Sequence, residues 1–163
     1  MAIKLLKQQS YILIIILTIT PLLTTADNQK LPIPRFASIK ANEVNARVGP
    51  SIKTPIEWVF VKKGEPVEII AEYEQWRQIR DIKREGGWVH SSVLSGKRSV
   101  IVVSSKLVAL TQVANDQHKI VARISNYVRC LLNKCKQDYC QVYCKNYTGW
   151  LPKTVLWGVY KDE

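Results

Sequence analysis

The chain has 163 residues, with 24 Lys and Arg against 13 Asp and Glu, a net charge of +11, and four cysteines. That length fits one domain or two small ones, and past the N-terminal segment no stretch is apolar for long enough to span a membrane as a helix. The charge favours anionic partners such as cell-wall polymers, lipid headgroups or acidic proteins, or else serves only as a solubilising basic surface.

Lys4 and Lys7 form a short positive segment, Tyr11 to Leu23 is a 13-residue uncharged run, and Thr24-Thr25-Ala26 supplies small residues before Asp27. Charge, apolar core and small residues in that order predict a secretory signal peptide over 1–26, cleaved after Ala26. The run is shorter than the roughly 20 residues a span needs and contains Pro21. Cleavage leaves 137 residues with 22 basic and 13 acidic side chains, net +9. The first cysteine is Cys130, so the new N-terminus has no site for a lipid. The expectation is an exported protein, periplasmic or secreted, with no stable membrane insertion after cleavage. Export also argues against nucleic acid as a partner.

Residues 27–35 are polar with two prolines and read as an extended linker. From Phe36 onward short apolar runs alternate with turn residues. Val59-Phe60-Val61 precedes Lys62-Lys63-Gly64, Val67 to Tyr73 has strand length, and Trp76 to Ile82 follows a turn at Glu74-Gln75. Trp88-Val89 follows Gly86-Gly87, and Ser99 to Ser104 is β-branched. Short strands with turn signals between them predict an all-β barrel or sandwich. The stretch Ile56 to Val61 is the one candidate for a short helix.

The chain repeats itself. Gly87-Trp88-Val89 and Val93-Leu94 lie over Gly149-Trp150-Leu151 and Val155-Leu156 at an offset of 62. Trp76 to Ile79 lies over Tyr139 to Val142, one position further on. Placing Val67-Glu68-Ile69 over Val128-Arg129-Cys130 requires a two-residue insertion in the second hairpin. Each unit of about 60 residues is small for an independent core.

Three segments resemble the bacterial SH3 domain family in its tandem, exported, two-domain form. Asn45-Ala46-Arg47-Val48-Gly49-Pro50-Ser51 is similar to the family's N-x-R-x-G-P-S signature. Gly87-Trp88-Val89 with Val93-Leu94-Ser95-Gly96 is the second, and Leu156-Trp157-Gly158-Val159 the third. The resemblance covers Phe36 to Tyr160. It implies two tandem SH3-like barrels, a first domain over 36–98 and a second, divergent one over 99–163. It also implies non-catalytic binding of cell-wall peptide or an envelope protein. The alternative is a structural or regulatory partner of another envelope protein with no cell-wall binding. The second half lacks the signature, and its Leu107 to Val121 segment has no glycine or proline.

Asn45 and Arg47 are candidate binding residues, Arg47 because its guanidinium can fork onto a carboxylate; pinning their own loop is the other use of such side chains. Trp58, Trp76 and Arg77 are candidates because tryptophan beside arginine is the composition of a binding hot spot, although an Arg stem covering an indole needs no partner. Trp88 and Trp150 are expected in the cores and Trp157 against the final strand. Glu65, Glu68, Glu72 and Glu74 read as a solvated strand face. His90 and His118 are the only histidines. No catalytic constellation, phosphate loop or metal-ligand spacing stands out, so neither enzyme activity nor a cofactor is expected.

The cysteines are spaced C-x4-C-x4-C-x3-C along one hairpin. Structural zinc sites favour two separate pairs of ligands, whereas an even count in an exported chain favours disulfides. Facing residues of an antiparallel hairpin have numbers of nearly constant sum. That sum is 275 for Cys135 and Cys140, and 274 for Cys130 and Cys144. Pairing neighbours along one strand would span roughly 13 Å, too far for a bridge. The prediction is therefore Cys130–Cys144 and Cys135–Cys140, with a β-bulge between them to absorb the difference of one.

Overall fold

The computed structural model describes residues 31–114 and 119–163. The signal peptide, its cleavage point after Ala26, the first residues of the linker and His118 lie outside the described residues. Among the described residues no helix is long and apolar enough to cross a membrane.

β-branched and aromatic residues favour strand, and twelve of the fourteen strands run four to eight residues. The first seven of the fourteen strands are β1 (Arg35–Ile39), β2 (Val44–Arg47), β3 (Ile56–Phe60), β4 (Pro66–Tyr73), β5 (Trp76–Arg80), β6 (Gly86–His90) and β7 (Leu94–Ser95). Then come β8 (Ser99–Val102), β9 (Val108–Thr111), β10 (Ile120–Ile124), β11 (Arg129–Lys136), β12 (Tyr139–Cys144), β13 (Tyr147–Pro152) and β14 (Leu156–Trp157). A single 3-10 turn precedes the last strand of each set, at Ser91–Val93 and Lys153–Val155. Of the Ile56 to Val61 stretch, Ile56–Phe60 is strand rather than helix, because each residue of Val44 to Arg47 provides it a ladder partner.

The strands form two seven-stranded antiparallel sheets, ordered β3-β2-β6-β5-β4-β1-β7 and β10-β9-β13-β12-β11-β8-β14. The second order is the first shifted by seven, so the internal repeat is a repeat of topology. The all-β expectation with two small barrels holds. One core contains Ile39, Ala46, Phe60, Val67, Ile79 and Val89. The other contains Val100, Val102, Leu110, Val142 and Leu151 with Cys130, Cys140 and Cys144.

Ladder register corrects the sequence alignment of the repeat. Glu68 faces Arg80 and Tyr73 faces Trp76 in the first hairpin, while Leu131 faces Tyr143 and Lys136 faces Tyr139 in the second. Every one of these lies 63 positions from its counterpart, so the second hairpin has no insertion. Val67 matches Cys130, not Val128. Both hairpins carry a bulge at the same place, between Ile69 and Ala71 and between Leu132 and Lys134. A bulge bends its strand and lets a short sheet curl. The one-residue shortening comes in the next turn, where Ile79 faces Gly87 but Val142 faces Gly149.

Both disulfides are as the register argument required. Cys130 pairs with Cys144 and Cys135 with Cys140, at Cα separations of 4.4 and 4.0 Å, and the bulge falls between the two bridges. The zinc alternative has no thiol left to use.

Alternation of buried and exposed residues gives way to buried runs of four in two strands. Pro66 to Ile69 of β4 and Ser99 to Val102 of β8 are buried on both faces. Strands lose alternation when both faces are covered, and here the second cover is the other barrel.

Candidate functional site

The seam between the barrels is polar at its centre. Ser99 Oγ donates to the Gly64 carbonyl at 2.6 Å, so the 2.7 Å contact between the two hydroxyls has Ser38 donating to Ser99. The Ser99 amide in turn donates to Ser38 Oγ at 2.9 Å. Both seam hydroxyls are thereby answered. Arg129 of β11 crosses to the first barrel, donating to the Lys63 carbonyl at 3.0 Å and pairing with Glu65 at 2.7 Å. Glu68 accepts from Arg80 Nε at 2.6 Å and from the Tyr160 hydroxyl at 2.7 Å. Phe36 packs edge-on to Trp157 at 5.2 Å and against Tyr160 at 4.7 Å.

These contacts overturn the solvated-face reading of the glutamates. Glu65, Glu68 and Glu72 are all paired with arginine, and Glu68 is 8 % exposed; Glu74 alone stays exposed, on a turn. The sequence concealed this because their partners lie on other strands or in the other barrel. Burial and the Glu68 carboxylate together push the Tyr160 phenol well above its ordinary range. Burial draws the Arg98 guanidinium below its own, against an opposing effect from Tyr160.

Trp88 and Trp150 are half-buried rather than core, and Val89 and Leu151, one residue on, fill the cores instead. Period-two alternation sends the tryptophan to the opposite face. The glycine before each tryptophan has a backbone reason. A Cβ on Gly87, which sits at φ +134, would meet the Arg47 carbonyl at 2.6 Å, and one on Gly149 would meet the Thr111 carbonyl at 2.8 Å.

The five candidate binding residues divide. Arg47 Nη1 donates to the Thr54 carbonyl at 2.6 Å, and the Thr54 hydroxyl donates to Gly49 and Ser51 carbonyls at 2.9 and 2.8 Å. Arg47 thus holds the β2–β3 loop. Asn45 is exposed on β2 opposite Val59. Trp76 packs edge-on against His90, with centroids 5.9 Å apart. Arg77 is held by Glu72 at 2.8 Å and by the carbonyls of Glu74 and Trp76. Neither Trp76 nor Arg77 reaches Trp58.

Trp58 occupies a different setting. It lines two concavities, one of about 490 Å³ between the barrels and one of about 480 Å³ over the first barrel. Both volumes fall in the range of ligand sites. The first is walled by residues 58–62 on one side and by Ile101, Tyr127 and Arg129 of the second barrel on the other. The second includes Glu57, Ile70, Arg80 and Arg84. Tyr127, which no sequence signal selects, has a left-handed backbone at φ 59 and is 64 % exposed. The matching residue in the first barrel is Gly64, at φ 75. His90 Nδ1 meets Ser92 Oγ at 2.7 Å and accepts from the Ser92 amide, so it caps the 3-10 turn.

Residues 40–96 match the family model of the bacterial SH3 domain. No curated protein matches the chain. The structure of NlpC1 from Trichomonas vaginalis is similar at 12% identity and a TM-score of 0.35, over 76% of this chain and 45% of that one. NlpC2 from Trichomonas vaginalis is similar at 11% identity and a TM-score of 0.38, over 82% of this chain and 51% of that one. The chain spans about half the length of these two proteins.

Proposed function

We propose that this chain is an exported, non-catalytic binding module of the cell envelope. In this reading it holds a cell-wall peptide or a segment of an envelope protein. Residues 36–98 are the first working unit and 99–163 the second, divergent one. The bacterial SH3 match over 40–96 supports the envelope setting, and two disulfides are chemistry of an oxidising compartment. All four cysteines are bonded, so Cys–His hydrolysis has no thiol to work with.

The observation that carries the reading is the place of Trp58. An indole that is 37 % exposed stands on the wall shared by two concavities. A partly exposed aromatic at a cleft is the usual anchor of a binding surface, and truncating such an anchor costs more than about 1 kcal/mol, roughly fivefold or more in affinity. Co-sedimentation with purified cell wall tests this. Trp58→Ala should lower the bound fraction by that factor, while Trp76→Ala, which lines neither concavity, should change it less. Equal loss from both variants, or no wall binding by the unaltered chain, would sink the cell-wall form of the reading. Capture by an envelope extract in the latter case would leave the envelope-protein form.

A further inference from the structure

The two bridges of the second barrel differ in access. Cys130, Cys140 and Cys144 are 2 %, 0 % and 1 % exposed, whereas Cys135 is half-buried, beside the turn of the β11–β12 hairpin. Exposed disulfides are the labile ones, and buried ones resist exchange. The outer bridge, Cys135–Cys140, also closes the shorter ring, a sequence separation of 5 against 14 for the inner one. Opening it therefore releases less of the chain.

A concavity of about 490 Å³ adjoins Cys135. It is walled by Gly96 to Arg98 and by Leu131 to Cys135, and no residue of β12 lines it. β12 and β8 flank β11 on opposite sides. The ladder between β8 and β11 covers Arg129 to Leu131, and the Leu132 amide then donates to the Arg98 carbonyl at 3.0 Å. Past that bond the β8 side of β11 has no ladder partner, and the concavity occupies it. A sulfur seated there approaches Cys135 from the side away from Cys140. Displacement at sulfur requires that approach, with the attacking atom entering opposite the one that leaves.

The lining carries Lys97, Arg98 and Lys134 against Glu163. Glu163 is paired with Arg98. Lys97 and Lys134 are exposed, and neither has an ion pair among the described residues. On the adjoining turn Lys136 and Asp138 offset each other. The concavity is thus left with two free ammonium groups and no free carboxylate.

We propose that Cys135–Cys140 is a thiol-exchange site, where a small thiol bearing carboxylates docks in this concavity and forms a mixed disulfide with Cys135. The inference goes beyond the binding-module reading and does not depend on it. Lys97 and Lys134 hold the carboxylates, and cations beside a thiol favour its thiolate, which is the attacking form. The thiolate sulfur bonds to Cys135 Sγ as the Cys135–Cys140 bond breaks. The electron pair of the broken bond leaves on Cys140 Sγ, which takes a proton from water. The incoming thiol is oxidised and Cys140 reduced, so the step needs no other oxidant. Cys140 is enclosed in the core, where the uncharged thiol is favoured and attacks poorly, so the adduct persists. Cys130–Cys144 keeps the hairpin in register throughout.

The test uses the full oxidised chain at low ionic strength with three thiols: glutathione, which bears carboxylates, neutral 2-mercaptoethanol and cationic cysteamine. Each rate is divided by that thiol's rate with bis(2-hydroxyethyl) disulfide, which removes its intrinsic reactivity. Samples are quenched with N-ethylmaleimide in denaturant and mapped by mass spectrometry without reduction. The expected result is the thiol on Cys135, maleimide on Cys140 and an intact Cys130–Cys144 bond. Glutathione's corrected rate should exceed that of cysteamine by about tenfold, with 2-mercaptoethanol between them. Lys97→Ala with Lys134→Ala, both at exposed positions, should bring the three corrected rates together. The thiol on Cys140, equal loss of both bridges, equal corrected rates for the three thiols, or a bridge inert to all of them would overturn the proposal. So would a charge order that survives the double substitution.

Discussion

At one ladder position of the first hairpin Glu72 faces Arg77, and at the matching position of the second Cys135 faces Cys140. The first pair is an ion pair at 2.8 Å and the second a disulfide. Val67 and Asp81 of the first barrel correspond in the same way to Cys130 and Cys144. One backbone register therefore carries non-covalent closure in one barrel and covalent closure in the other. A partly exposed ion pair contributes at most about 1 kcal/mol, while a disulfide contributes about 2–4. The first barrel has other help: Arg47, Thr54 and Gly49 bond its β2–β3 loop internally. At the Arg47 position the second has Thr111, whose hydroxyl donates to the Val113 carbonyl at 2.7 Å.

The largest test of this comparison is removal of the inner bridge. Cys130→Ala with Cys144→Ala opens a 15-residue ring worth roughly 3 kcal/mol and also removes two sulfurs from the second core, 2 % and 1 % exposed. Urea unfolding should show a loss of about 3–5 kcal/mol. A loss below about 1 kcal/mol would mean the bridges add nothing that the ion pair lacks.

The converse experiment exchanges the chemistry. Glu72→Cys with Arg77→Cys should form a third disulfide without moving the backbone, because the register is the same. By the ring size it should stabilise the first barrel by up to about 2 kcal/mol, less what Arg35 loses with its Glu72 partner. Mass spectrometry with and without reductant reads the bond, and denaturation reads the gain. Two free thiols after oxidative refolding would show that the two hairpins differ in geometry as well as in chemistry.

A smaller effect is expected at the matched turns. Tyr127→Gly restores in the second barrel what Gly64 supplies in the first. It should stabilise the chain by about 1 kcal/mol in urea unfolding. Destabilisation would show that the ring is needed by the fold.

The smallest concerns the seam, where the barrels meet. The Tyr160 phenol is held above its usual value of about 10 by burial and by Glu68. Between the unfolded and the folded value, the unfolded chain has lost the proton that the folded chain keeps. Stability from this group is thus full below about pH 10 and falls as the pH rises further. Tyr160→Phe should flatten that part of the decline relative to the unaltered chain in denaturation scans between about pH 9 and 11. Identical slopes would remove Tyr160 from the account.

The sequence made local features readable and crossed features unreadable. The cysteine pairing and its bulge follow from numbering along one hairpin, and Glu74-Gln75 and Gly86-Gly87 mark their own turns. The repeat was visible at Gly-Trp, where the backbone demands glycine. It was misaligned at Val67 because Cys130 does not look like valine until both are seen in a core. Glu68 reads as a surface residue because its partner Tyr160 is 92 positions away. Trp58 and Trp76 looked alike in composition, and only the cleft beside β3 separates them. Tyr127 had no sequence signal at all, since a strained backbone is not written in residue type.

The Glu68–Tyr160 bond also imposes an order in time. A chain made from its N-terminus has completed β1 to β7 by Ser95, and the seam's last partner comes more than sixty residues later. At about 5–20 residues per second that interval is several seconds, longer than many small β domains need to fold. A first barrel that closes within that interval does so with Glu68 and Ser38 facing water and with β3 formed before its cleft. The cleft beside β3 has only one wall during that interval, and it becomes a cleft when the second barrel docks.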